Sequence, residues 1–199
     1  MALRTFRYSF FLMAALLLGA CAGSKQAAST NDTENSQAVT GIDPNENREE
    51  ANSTGSGLIL IGPTTRVVFD KAPYSAWFHP GYQRYQPNPE VIKQLRQYLL
   101  VPGELSIVAY MGSWCEDSQR EVPHFFKVLD LAGYPLNKLQ IISLREDKTG
   151  PNGEEKTYNV VSVPTFLVLK DGKEMGRIVE MPLKTIEADL LQIITAAKK

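Results

Sequence analysis

The stretch SWCEDS, residues 113–118, sets a cysteine directly after a tryptophan, with a serine three positions further on. Before it runs LSIVAYM (105–111), an apolar segment of the kind a buried strand uses. After it, Val122, Phe125, Phe126 and Leu129 share one face of a helix, and Gly133 is a plausible stop. Cys115 is therefore expected where a core strand hands over to a helix start. Unpaired backbone N–H groups and the positive dipole end favour thiolate there, and thiolate is the reactive form. Glu116 and Asp117 lie beside it and oppose that ionisation. Ser118, one turn on, is expected to donate a hydrogen bond to the sulfur.

The chain has one other cysteine, Cys21. Residues 1–20 begin with Arg4 and Arg7 and continue into a short run of Phe, Leu, Met and Ala. A positive start, a short apolar core and small residues before a cut site are the marks of a secretory signal, and the run is short for a membrane span. It ends Leu-Gly-Ala-Cys, which resembles the lipobox of bacterial lipoproteins. That likeness implies lipidation at Cys21 and a mature chain anchored to a membrane of the cell envelope, extracytoplasmic, on the periplasmic side or at the cell surface. Cys115 is then the sole free thiol and has no internal partner, which excludes a disulfide-stapled fold.

The 199 residues carry a net charge of −1, which gives no electrostatic case for nucleic acid. Two histidines and no clustered thiols speak against a metal site of ordinary ligand type, and no motif calls for a cofactor. Residues 22–57 hold two basic and six acidic side chains and almost no large apolar ones, so residues 21–57 are expected to be a lipidated N-terminus and disordered tether. A single domain is expected over 58–199.

Within that domain Leu58–Ile61 and Arg66–Phe69 read as short strands. The aromatic stretch 72–90 reads as a loop packed over the core edge, with a recognition lip as the alternative. Asn88-Pro89-Glu90 opens a helix by its capping chemistry. Residues 139–144 form a further buried strand, and the polar residues 145–160 a loop with a short helix. Asp171-Gly172 joins strands 165–170 and 174–180 as a hairpin, and Lys184–Ala197 closes as an amphipathic helix. Strands that alternate with helices are expected to pair in parallel, and the hairpin adds an antiparallel edge.

This order resembles the thioredoxin superfamily. The likeness rests on Trp114-Cys115 at the strand-to-helix junction, Pro123 eight residues after the cysteine, Val163-Pro164-Thr165 and the stretch FLVLKDGKEMGRIVE (166–180). It implies an α/β fold, a thioredoxin-like three-layer α/β/α sandwich around a mixed sheet with an antiparallel C-terminal hairpin. It also implies a cis bond at Pro164 and a substrate groove formed by Trp114, Val163, Pro164 and Thr165. The chain departs from the family pattern at three places. Ser118 replaces the second cysteine. Ala109 and Ser143 stand where a buried acid and its lysine are usual. Glu180 replaces a glycine and is a candidate acid/base group.

A single thiol at such a site can attack a disulfide but cannot expel the trapped partner by itself. The expected activity is thiol–disulfide exchange, in the form of isomerisation, reduction or mixed-disulfide capture. Its partners are a thiol- or disulfide-bearing protein or small thiol and an external reductant. The alternative is a redox-inactive binding or chaperone-like module on the same fold. A third reading is a sensor whose Cys115 is oxidised to sulfenic acid.

Overall fold

Near-continuous apolar runs let the central strands bury both faces, and the two faces are covered differently. The computed structural model describes residues 47–100 and 105–196. Its strands are β1 (Arg48–Ala51), β2 (Leu58–Thr64), β3 (Leu105–Met111), β4 (Leu139–Ser143), β5 (Thr165–Lys170) and β6 (Lys173–Val179). Its α-helices are α1 (Ser75–Arg84), α2 (Pro89–Leu99), α3 (Glu116–Ala132) and α4 (Ile186–Ala196). The strands form one sheet in the order β1-β2-β4-β3-β5-β6. The fold is α/β with a mixed sheet and an antiparallel C-terminal hairpin, β5–β6.

Ile107, Ala109 and Met111 of β3, with Phe166 and Val168 of β5, join the main core, to which all four helices contribute. The alternate residues Val108, Tyr110, Leu167 and Leu169 form a second cluster with Leu144, Val160 and Val163. Among the described residues the layer over that second face carries no α-helix. It is supplied by the 144–163 segment and its 3-10 helix Glu154–Tyr158. Gly150, Pro151 and Gly153 in that segment explain why no longer helix forms. The Tyr110 hydroxyl donates to the Glu154 carbonyl at 2.8 Å and fastens this layer to the sheet. Burial pushes the Tyr110 phenol up to about 12.

Among the described residues only β3 and β4 pair in parallel. β2 runs antiparallel to β4, against the expectation from strand–helix alternation. The cause is the unforeseen helix α1 inside the aromatic stretch. One helical pass returns the chain to the edge from which the previous strand started, whereas two leave it at the edge where that strand ended. Arg66–Asp70, expected as a strand, is a 3-10 helix. The aromatic stretch packs inward: Tyr74 and Phe78 are buried, and Phe78 lies against Phe69 at 5.0 Å and Phe126 at 5.6 Å. Gly81 of α1 meets Pro123 of α3 so closely that a Cβ on it would come within 2.6 Å of the proline ring.

The folded part starts earlier than expected. Residues 48–51 fell in the expected tether, yet they pair with Leu58–Ile61 as an edge strand. Arg145 binds Glu50 through two hydrogen bonds (2.6 and 3.1 Å), which gives this polar strand a partner that its own sequence does not reveal. The expected signal segment, Cys21 and the rest of the expected tether through residue 46 lie outside the described residues. Among the described residues no helix is long and apolar enough to cross a membrane.

The helix ends follow their capping residues. Asn88 accepts from the backbone N–H of Glu90 at 2.9 Å, and Gly133 ends α3 in the left-handed conformation at φ 76°. In the first turn of α4, Glu187 is buried and accepts from the Tyr85 hydroxyl (2.7 Å) and the Asn88 N–H (3.0 Å). Burial alone would raise its carboxyl, but the Asn88 and Tyr85 hydrogen bonds outweigh burial and hold it below the ordinary carboxylate value. Its contribution to stability is therefore present above the ordinary carboxylate range and lost as pH falls through the lowered folded value. Glu187→Gln is expected to cost about 1–2 kcal/mol at pH 7 and markedly less at pH 3, read from denaturation at both pH values. A gap that stays the same at both would place its origin elsewhere.

Candidate functional site

After β3, Gly112 and Ser113 turn the chain, and the Cys115 N–H closes that turn on the Gly112 carbonyl at 3.0 Å. Cys115 then has extended backbone and caps α3, its carbonyl accepting from the Gln119 N–H at 2.9 Å. The sulfur makes no capping hydrogen bond to the helix start. It packs at the margin of the second core cluster, half-buried, and its thiol donates to the Val163 carbonyl at 3.4 Å.

Val163-Pro164 is a cis peptide bond, as the resemblance implied. The Pro164 carbonyl accepts from the Glu180 N–H at 2.7 Å, so the end of β6 is tied to this loop. Glu180 sits at φ 58°, a conformation that favours glycine, and its side chain points to an exposed position. No hydrogen bond joins its carboxylate to Cys115 among the described residues. Thr165, expected in the groove, is buried and donates to the Ser162 carbonyl at 2.7 Å. It shapes the loop from within.

Ser118 departs from its expected role. It is fully buried, and its hydroxyl accepts from the Gly112 N–H at 3.1 Å instead of donating to the sulfur. The hydroxyl therefore holds the turn that carries Cys115. Ala109 lies in the main core opposite Phe166, and Ser143 bonds to Thr64 at 2.7 Å in a small buried hydroxyl pair. Neither position supplies a titrating group.

Trp114 is fixed by three constraints. Its Nε1–H donates to the Leu144 carbonyl at 2.9 Å. Its ring presses on Gly112, where a Cβ would come within 2.6 Å of the indole. The Lys148 ammonium stands 5.0 Å from its ring centroid. Lys148, Ser113 and Gln119 are site residues that sequence reasoning did not find. Ser113 accepts from the Leu60 N–H (2.9 Å) and its carbonyl from Gln119 (2.8 Å), which ties the turn to β2 and α3.

Of the two acids beside the thiol, Asp117 is bound by Arg120 at 2.6 Å, while Glu116 is exposed. Arg120 also holds Glu121 at 2.7 Å. Burial raises the Glu121 carboxyl, but hydrogen bonds from His124 and Arg120 more than offset it and leave the group below its ordinary range. Among the described residues no three His, Cys, Asp or Glu side chains are grouped as for a metal ion.

No family model matches the chain, and no curated protein does. A solved protein of unknown function from Pseudomonas aeruginosa is similar at a TM-score of 0.49 and 14% identity, over 64% of this chain and 87% of its own. A thioredoxin from Fasciola hepatica is similar at 0.34 and 23%, over 47% and 81%. Thioredoxin O2 from Arabidopsis thaliana is similar at 0.35 and 15%, over 57% and 92%. At these values the likenesses do not bear on the site, which is read from its own geometry.

Proposed function

We propose that the chain is a thioredoxin-like protein that carries out thiol–disulfide exchange through Cys115. In the same proposal, acyl chains on Cys21 hold it to a membrane of the bacterial cell envelope, on the extracytoplasmic side. The observation that supports the reading best is the half-buried sulfur at the head of α3, 3.4 Å from the Val163 carbonyl of the cis-proline loop. In the first step the Cys115 thiolate attacks a substrate disulfide R–S–S–R′. The substrate S–S bond breaks, Cys115–S–S–R forms, and R′S⁻ leaves and takes up a proton. In the second, an external thiolate attacks Cys115–S–S–R, carries R away as a new disulfide and restores the Cys115 thiolate. The electrons balance without a net oxidant, as in isomerisation or in removal of a small-thiol adduct.

With serine at 118, release needs the external thiol. The adduct of the full chain is expected to persist in thiol-free buffer and to clear when glutathione is added, followed by intact mass. Ser118→Cys supplies a resolving sulfur and is expected to shorten that lifetime at least tenfold without added thiol. An adduct that clears by itself at the same rate in both forms contradicts the single-thiol reading.

A redox-inactive binding module is the second reading. It is favoured by Ser118 bonding the backbone instead of the sulfur, and by Ala109 in place of a buried acid. It predicts partner binding that survives Cys115→Ala.

A further inference from the structure

Lys148 lies on a four-residue turn whose geometry is specified twice over. The Lys148 N–H donates to the Arg145 carbonyl at 2.9 Å, and the Arg145 N–H to the Thr149 carbonyl at 3.0 Å. The Asp147 carboxylate accepts from both the Thr149 N–H (3.0 Å) and its hydroxyl (2.7 Å). Lys148 itself sits at φ 67°. Its ammonium donates to the Glu146 carbonyl at 2.8 Å and covers the indole of Trp114, the residue next to Cys115.

The acids that would ordinarily neutralise this cation are turned elsewhere. Glu50 is bound to Arg145. Glu146 accepts from the Ser53 N–H at 2.7 Å. Asp147 is engaged by Thr149. Arg145, on the same turn, has a carboxylate partner in Glu50, whereas half-buried Lys148 has none among the described residues. An ammonium held over an aromatic face and lacking a counter-ion retains two N–H donors and an unspent charge toward a ligand.

We infer that Lys148 is a specificity-determining residue that receives a carboxylate lying close to the sulfur of the disulfide Cys115 attacks. The inference rests on the exchange reading. It makes the preferred substrate class a disulfide with an anionic group beside it, whether a small carboxylated thiol adduct or a peptide with an acidic residue flanking its cysteine. The wall of the groove on the Trp114 side is then a cation backed by an indole. The loop supplies a positive charge beside Trp114, whereas the residue after Cys115, Glu116, and the end of the hairpin, Glu180, carry exposed carboxylates.

The test uses the full chain with Cys21→Ser, so that Cys115 is its sole thiol. Two probe disulfides are compared: anionic 5,5′-dithiobis(2-nitrobenzoate) and neutral 4,4′-dithiodipyridine. The readout is the ratio of their rate constants. Lys148→Gln is expected to lower that ratio roughly threefold to tenfold, Lys148→Glu further, and Lys148→Arg to restore most of it. Raising the salt concentration should compress the wild-type ratio toward that of Lys148→Gln. A second pair, mixed disulfides of a short peptide with Glu or Gln beside its cysteine, separates the two sources. A Lys148-dependent preference for the Glu peptide assigns a peptide carboxylate, and sensitivity confined to the small probe assigns a small thiol. A ratio unchanged by Lys148→Glu while Cys115 still reacts overturns the role of Lys148 and leaves exchange standing. Failure of Cys115 to react with either probe removes the exchange reading and this inference with it.

Discussion

Phe125→Ala is expected to destabilise the domain by about 3–5 kcal/mol, the range for a fully buried phenylalanine cut back to alanine. Phe125 is completely buried on α3, and its ring stacks on Phe166 of β5 at 4.1 Å and 11°. It joins the helix that carries Cys115 to the strand that follows Pro164. Neighbouring Phe126, Phe78 and Phe69 are themselves in ring contact, so they have little freedom to collapse into the space left behind. Against a domain stability of about 5–15 kcal/mol, such a loss is a large fraction. Chemical denaturation of the two forms measures it, and a difference below about 1 kcal/mol would show that the helix and sheet do not depend on this contact.

Gly112→Ala is expected to disrupt the site itself. The glycine is needed here for space, because its backbone does not lie in the left-handed region. A methyl group would stand 2.6 Å from Cε2, 2.7 Å from Nε1 and 2.9 Å from Cζ2 of Trp114. The indole cannot move aside freely, since its N–H is held by Leu144 and Lys148 stands against its ring. Overpacking of this kind costs about 1–3 kcal/mol, and loss of the indole hydrogen bond adds about 1 kcal/mol. The displaced ring also shifts the turn from which Cys115 projects. The expected result is a melting point several degrees lower, a changed tryptophan emission spectrum and slower alkylation of Cys115. Unchanged emission and alkylation would mean that the ring is not confined as described.

Several parts of this architecture are legible in the sequence because they depend on local chemistry. Asp171-Gly172 adopts positive φ at both positions, 50° and 75°, which is what a tight hairpin turn requires and what that dipeptide supplies. Asn88 caps α2 through its own side chain, and Gly133 ends α3 for a conformational reason. The position of Cys115 follows from the change of hydrophobic period between β3 and α3. Helix α1 was hidden because Pro80 and Gly81 weaken its local signal, and its stability comes from contact with α3, with Gly81 against Pro123. Missing α1 also reversed the expected direction of β2. Three of the four β1 residues are charged, and this edge strand is supported from a distance by Arg145 and by the Tyr74 hydroxyl on Glu49.

The site is legible to the same depth. The thiol, the tryptophan and the cis-proline loop are brought together as the motif implied. Helical spacing shows that Ser118 and Cys115 share a face, but not that the Ser118 hydroxyl is turned to the Gly112 N–H. Lys148 carries no motif at all. It becomes a site residue only through a turn thirty-three positions from Cys115 that folds back over Trp114.

The central claim is that Cys115 attacks a disulfide. The most direct test exposes the reduced full chain, and the same chain with Cys115→Ala, to a peptide mixed disulfide, and locates the adduct by peptide mass mapping. The account predicts one peptide linked to Cys115 in the wild-type chain, removable by added thiol, and none at any position between 47 and 196 in the variant. A wild-type Cys115 that stays unmodified in the folded protein, yet reacts once the chain is denatured, would contradict it.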